Sequence, residues 1–253
     1  MTITLLGTGT SQGVPVIACD CEVCTSTDPH DKRLRSSVMI EIDGKVFVID
    51  SGPDFRQQML REHVKRLDAL IFTHQHKDHT AGMDDIRAFN FRQNAAIDVY
   101  ATEMVQHALK REFMYIFEEF KYPGIPQINL HSISNAIFEV QGVPVIPIEV
   151  LHYKLPVLGF RIGDFTYITD AKTIAEEERV KIKGSKVLVI NALQRDSHIS
   201  HFTLEEAVAF ALEMGADQTY LTHISHRLGR HADVSLELPP NIHLAYDGLK
   251  FEL

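Results

Sequence analysis

Sulfur, surplus positive charge and long apolar runs are what this chain has least of. Cysteine occurs three times in 253 residues, an odd number that a fully paired disulfide framework cannot use. The opening Met1-Thr2-Ile3-Thr4-Leu5-Leu6 lacks a basic stretch before an apolar one, and no run approaches the ~20 apolar residues of a membrane helix. These absences argue against a secreted scaffold and against a membrane partner. The chain reads as cytoplasmic, with thiols free or on metal. Basic residues are outnumbered 34 to 25, for a formal charge of −9, which disfavours nucleic acid because phosphate backbones need clustered Lys and Arg. A small anionic substrate stays admissible if its site supplies positive charge locally. Repeats, low-complexity tracts and an interdomain linker are also missing. Residues 1–253 therefore read as one domain, large enough to bury a core without staples.

Short β-type runs and histidine, present 14 times, are abundant. Strands are predicted over 2–6, 37–42, 45–50, 69–73, 97–101, 136–140, 143–150, 158–162, 165–169, 186–191, 219–222 and 243–246. Asp43-Gly44, Gly163-Asp164 and Asp247-Gly248 each lie between two such runs, the two-residue chemistry of a hairpin, which makes much of the sheet antiparallel. Helical periodicity covers 54–63, 81–93, 102–120, 174–183 and 203–214, the last opening with the capping box Thr203-Leu204-Glu205-Glu206. Many strands with interspersed helices make an α/β protein of two sheets with helices outside.

After the apolar run 69–73 comes His74-Gln75-His76-Lys77-Asp78-His79. If His74 and His76 continue the strand, their imidazoles share one side at ~6.6 Å Cα spacing, a distance two side chains can close onto one ion. Asp78 and His79 follow in the turn before the next helix. Imidazole and carboxylate together suit Zn, Mn or Fe. The same grammar, an apolar strand and then one ligand-type residue, recurs at His152, Asp170 and His223.

These residues, with Val48-Ile49-Asp50-Ser51-Gly52, resemble the metallo-β-lactamase superfamily. The resemblance implies an αββα sandwich of two mixed β-sheets flanked by helices, with a dinuclear metal site at one edge. It implies that His74, His76 and His152 hold one divalent ion, that Asp78, His79 and His223 hold the other, and that Asp170 bridges them. Asp50 matches the supporting carboxylate behind the site; as an acceptor fixing the turn at Gly52 it has an equally simple structural role.

Cys19-Asp20-Cys21-Glu22-Val23-Cys24 places three thiolates in six residues, a loop over 19–24 suited to one structural zinc that needs a fourth ligand. The candidates are the local His30 or a distant histidine such as His226. This motif, the segment Gly7-Thr8-Gly9-Thr10-Ser11-Gln12-Gly13-Val14-Pro15 and Thr222-His223-Ile224-Ser225-His226 resemble the PhnP-type cyclic phosphodiesterases, and that resemblance selects His226. The glycine segment opens no helix and is no dinucleotide fingerprint; it reads as a flexible loop near the metals.

By the same resemblance the chain hydrolyses a small or cyclic phosphate diester, such as a phosphoribosyl 1,2-cyclic phosphate, by attack of a hydroxide bridging two Zn or Mn ions. Asp78 is part of that catalytic apparatus. His201, just before a helix, matches the proton donor to the leaving group, with His198 its local competitor. The resemblance also suggests a homodimer. Ala171 stands where the family commonly has a small hydroxylated residue. Two alternatives share parts of the pattern: a transfer-RNA 3′-processing endoribonuclease, and a non-catalytic accessory protein of cofactor biosynthesis. The run Lys32-Arg33-Leu34-Arg35 reads as a solvated face before a phosphate grip, and 102–127 as core or lid packing.

Overall fold

A computed structural model describes residues 1–120 and 122–253. Strands β1 (Thr2–Gly7), β2 (Ser37–Ile42), β3 (Lys45–Ile49), β4 (Ala69–Ile71), β5 (Ile97–Ala101) and β6 (Ile128–Ser132) lie side by side in that order. Strands β7 (Phe138–Val140), β8 (Val143–His152), β9 (Leu155–Ile162), β10 (Phe165–Tyr167), β11 (Thr173–Ile174), β12 (Val187–Asn191), β13 (Gln218–Thr222) and β14 (Ile242–Leu244) form a second sheet. Its order is β11-β8-β9-β10-β12-β13-β14, with β7 on β8. The chain then returns to the first sheet as β15 (Lys250–Glu252), beside β1.

Period-2 alternation sorts the side chains into layers. Val187 and Val189 of β12 face inward with Phe47, Ile49, Phe160 and Phe165 between the two sheets, while Leu188 and Ile190 face outward. Helices α1 (Phe55–Arg61), α3 (Arg87–Gln93) and α4 (Glu103–Glu112) cover the outer face of the first sheet through Phe55, Met59, Phe89, Val105 and Leu109. Helices α6 (Glu176–Ile182), α7 (Leu204–Met214) and α8 (His231–Ser235) cover the second through Ile182, Phe210, Met214 and Val234. At ~1.5–3 kcal/mol for each large apolar side chain fully buried, these three layers of contact dominate stability. The expected αββα order is observed. No helix among the described residues is long and apolar enough to cross a membrane.

The differences have local causes. The sheets are evenly mixed: β3 to β6 run parallel, as do β10, β12, β13 and β14, because helices rather than turns connect most of them. Asp43-Gly44 and Gly163-Asp164 do close hairpins. Asp247-Gly248 does not, since β14 and β15 lie in different sheets; Asp247 instead accepts Thr8 N, Thr8 Oγ1 and Leu34 N at 2.9, 2.8 and 2.8 Å. β4 stops at Ile71, so His74 and His76 sit beyond the strand, and Asp78 and His79 lie in a short helix, α2 (Lys77–Thr80), rather than in a turn. The helix expected over 81–93 is a 3-10 turn at Met83–Ile86 followed by α3. That over 102–120 breaks at Phe113 into α4 and α5 (Met114–Phe117). The short or polar strands β6, β11 and β15, and helices α2 and α8, have no counterpart in the predicted elements.

Candidate metal centre

Three of the expected site residues take left-handed backbone past their strands: Asp50 (φ 64°) directly after β3, Asp170 (φ 58°) shortly beyond the Tyr167 end of β10, and His223 (φ 56°) directly after β13. Asp and His are among the side chains that tolerate this region, and the sharp turn aims each inward from the sheet end. His152 is the last residue of β8. Gly52 and Asp78 are pressed together: a Cβ at Gly52 would lie 2.1 Å from the Asp78 carbonyl oxygen, so only glycine lets α2 seat against the turn after β3.

These elements converge. Ligand atoms of Asp78, His79, Asp170 and His223 all lie within 4.8 Å of one another, as do those of His152, Asp170 and His201. His74 Nε2 is 3.0 Å from His76 Nδ1, and the His152 ring centroid stands 6.0 and 5.3 Å from those of His74 and His76. All seven residues expected at the two-ion site, with His201, occupy one edge of the sandwich.

The outer hydrogen bonds fix how the imidazoles face, and they test whether a cation fits. His152 Nδ1 donates to the Ser200 carbonyl at 3.0 Å, and His79 Nδ1 to Asp50 Oδ2 at 2.7 Å. Thr73 Oγ1 gives its proton to Asp50 Oδ2 (2.8 Å), so it accepts from His74 Nδ1 at 3.0 Å. Ser36 Oγ donates to Gly9 O (3.0 Å) and accepts from His223 Nδ1 (3.1 Å). Each of these four rings therefore spends its Nδ1 proton on an outer partner and turns its Nε2 toward the cluster. There His79 Nε2 meets Asp78 Oδ2 at 3.1 Å and Asp170 Oδ2 at 3.2 Å, and His223 Nε2 meets Asp170 Oδ1 at 3.4 Å. Ring nitrogens this close to two carboxylates require positive charge between them, either a proton on the imidazole or a bound cation. His79 Nε2 and His201 Nδ1 are buried without a hydrogen bond, as expected of atoms waiting for a cation or a substrate. The nitrogen and oxygen donors fit divalent Zn or Mn.

Electrostatics agrees. Burial opposes charge on His79, but Asp170, Asp50 and Asp78 outweigh it and hold its pKa well above the imidazole range. Burial likewise opposes ionised Asp170, yet His223 and His79 keep it well below the usual carboxylate range. Burial, followed by His223, pushes His201 down to about 3. Its Nδ1 stays 3.9 Å from Asp170 Oδ1, too far to be consumed by it. His198, the competitor, lies farther out with its Nδ1 turned to Ser200.

At the amino-terminal loop His226 Nδ1 is 3.3, 3.4 and 3.6 Å from the sulfurs of Cys19, Cys21 and Cys24. His30 is not the fourth partner: its ring bonds Asp28 at 2.8 Å and stacks on His231. Three thiols and one imidazole brought this close could hold a metal ion, and their chemistry suits zinc.

A family model described as "Beta-lactamase superfamily domain" matches residues 45–224, well over half of the chain. The chain belongs to the beta-lactamase superfamily. It is a hydrolase of that superfamily, with a His/Asp cluster of the metal-binding kind. A solved diphosphatase from the PhnP family is 42% identical, with a TM-score of 0.94 over 100% of this chain and 96% of that one. A Porphyromonas gingivalis protein named octanoyltransferase is 41% identical over 99% of this chain, which spans only 51% of that relative. Ribonuclease Z of Methanopyrus kandleri is 24% identical over 87% of this chain and 92% of that protein.

Within this beta-lactamase fold, several residues that serve the site carry no sequence signal of their own. Thr73, Ser36 and the Ser200 carbonyl orient imidazoles through contacts across 1 to 187 positions, and isolated serines and threonines do not announce such partners. Arg33 departs from the solvated face expected of its run: it is buried, donating to Thr8 Oγ1 at 2.8 Å, to the Ala245 carbonyl and to His231 Nδ1. The glycine segment lies near the cluster as expected but is pinned rather than loose, through Gly9 N to Leu34 O (2.8 Å) and Thr10 N to Ile224 O (3.1 Å).

Proposed function

We propose that the chain is a single-domain, two-metal phosphodiesterase that cleaves a small or cyclic phosphate diester, for which a phosphoribosyl 1,2-cyclic phosphate is the leading candidate. The observation carrying this reading is the outward tethering of four imidazoles, which leaves the Nε2 atoms of His79 and His223 against Asp78 and Asp170, beside a buried His201 Nδ1 without a hydrogen bond. His74 Nε2, His76 Nδ1 and His152 Nε2 would hold one Zn or Mn ion. Asp78, His79 Nε2 and His223 Nε2 would hold the other, with Asp170 shared, and Cys19, Cys21, Cys24 and His226 would hold a structural zinc. Bound there, two divalent ions supply Lewis acidity and lower the pKa of water to near neutrality.

The chain's own residues do the rest. Asp50 and Thr73 lock His79 and His74, so donor positions do not wander. Asp78 and Asp170 offset only part of +4, leaving a local positive charge that draws an anion to a protein of net charge −9. His201 stands where a proton is needed by the departing oxygen. A phosphate anion beside the ring opposes the burial that otherwise keeps it neutral.

Diphosphate hydrolysis is the second reading, favoured by the 42% identity to a PhnP-family diphosphatase. It uses the same attack at phosphorus with a phosphate as leaving group. Ribonuclease Z chemistry is weaker support at 24% identity, because the acidic balance offers little grip on transfer RNA. A non-catalytic accessory role is disfavoured, since every ligand-type position is filled.

The test is His201→Ala assayed on paired esters. A good general acid is worth ~10²–10⁴-fold, so turnover of an alkyl or cyclic diester should fall by about that factor, while an activated aryl diester is largely spared and metal content is unchanged. Equal losses on both would remove the acid role, and loss of an ion would make His201 a ligand instead. Diphosphates and precursor transfer RNA in the same panel separate the readings.

A further inference from the structure

We propose that Ser36 is a positioning residue for the metal centre: its hydroxyl fixes the ring of His223 with Nε2 free, and so sets how tightly the second ion is held. The inference rests on the two-ion reading above.

His223 is one residue past β13 with φ 56°, so the sheet ladder no longer orients it. The side chains around its ring must do so. Three hydroxyls reach it. Ser36 Oγ lies 3.1 Å and Thr169 Oγ1 3.4 Å from Nδ1, and Thr10 Oγ1 lies 3.3 Å from Nε2. A hydroxyl has one proton to give. Ser36 spends its own on the Gly9 carbonyl at 3.0 Å, and Thr169 spends its own on Asp170 Oδ2 at 2.6 Å. Both therefore present only lone pairs to Nδ1, which must carry the hydrogen. The opposite tautomer would set a bare Nδ1 against two acceptors, and the ring's Nε2–H would point at Asp170 in place of the ion.

Ser36 is the nearer and better placed of the two. Its backbone N–H also bonds Gly9 O, at 3.1 Å, and both Ser36 and His223 are 1% exposed, so neither can rotate away. A glycine is required at position 9 for this approach, because a Cβ there would fall 2.8 Å from Arg33 O. The segment carrying the glycine motif thus acts on the metal centre through one hydroxyl.

The experiment compares the full chain with Ser36→Ala and Ser36→Thr. Ring-nitrogen NMR on 15N-histidine-labelled protein reads the His223 tautomer before metal is added, and titration with zinc alone or manganese alone against a competing chelator reads affinity. Wild type should show Nδ1 protonated. Ser36→Ala should populate the Nε2-protonated form and weaken one of the two cluster ions by ~10–100-fold, the usual effect of removing a ligand's outer hydrogen bond. The other cluster ion and the zinc of the cysteine loop should be unaffected, and Ser36→Thr should restore both readouts. An unchanged tautomer in Ser36→Ala overturns the proposal, as does equal weakening of all ions, which a merely structural serine would give. If wild type binds no ion at the cluster, the two-ion reading falls, and the tautomer still decides the role of Ser36.

Discussion

Replacing Asp50 should damage stability first and metal binding with it. The carboxylate is fully buried and accepts three hydrogen bonds, from Thr73 N at 2.9 Å, Thr73 Oγ1 at 2.8 Å and His79 Nδ1 at 2.7 Å. Asp50→Ala strands all three donors in the interior at ~1–3 kcal/mol each. Relief from removing a desolvated carboxylate offsets part of that, as burial already pushes the Asp50 pKa upward. Alanine is also worse than aspartate at φ 64°. The net loss should be about 3–5 kcal/mol, the range for removing one member of a buried charged pair. Asp50→Asn keeps one acceptor oxygen and a side chain that tolerates left-handed backbone, so its loss should be smaller, about 1–3 kcal/mol. Urea unfolding of metal-free protein measures both directly, the midpoint shift multiplied by the slope giving the difference. Losses below about 1 kcal/mol for alanine, or a ranking with asparagine the worse, would refute the reasoning. Restoring metal should not close the gap, because His79 loses the partner that directs its Nε2.

Cys21→Ser should cost one zinc per chain by elemental analysis and lower Tm on the order of 10 °C, as loss of a structural zinc implies; an unchanged zinc count would sink the assignment of that loop. Gly52→Ala must displace the Asp78 carbonyl, 2.1 Å from the new Cβ, so circular dichroism should stay native while affinity for one cluster ion falls at least ~10-fold; unaltered metal titration would show that α2 moves freely. His231 is held at about 4, by burial and then by Arg33. The unfolded chain therefore binds the extra proton between about pH 6.5 and 4, so the contribution of neutral His231 is complete above pH 6.5 and lost as pH falls through that window. His231→Gln should flatten the stability-against-pH curve there, and identical slopes would exclude His231 as a source.

Much of the metal centre was legible because each strand end carries its own chemistry. His152, Asp170 and His223 follow apolar runs whose period is unambiguous, and the strands that frame them are found. What stayed hidden was whatever depends on a partner far along the chain. Nothing near Ser36 signals a bond 187 residues away, and Arg33 looked solvated because its three acceptors come from elsewhere in the fold. β6 and β15 pair by register with strands already in place, so their own polar residues never declare them. The expectation that His74 and His76 extend β4 fails for a related reason. The strand stops at Ile71, yet the two rings still meet at 3.0 Å, since the turn into α2 brings them together as period-2 geometry would have.

Strand direction explains why these side chains share one edge. β1 and β3 are each antiparallel to β2, so they run the same way, and β4 is parallel to β3. In the other sheet β8 and β10 are both antiparallel to β9, and β12 and β13 are parallel to β10. Thr10, Asp50, His74, His152, Asp170, His201 and His223 all lie at or beyond the carboxyl end of one of these strands. There the ladder has stopped and backbone conformation is free to turn, which is why ligand sites in sheets with parallel strands gather at that end. The same geometry divides the effects of substitution. Changes inside β3 or β13 act on packing between layers and should appear as lost stability with metal binding intact, whereas a change one residue past β13, at His223, should alter the ions before it alters the fold.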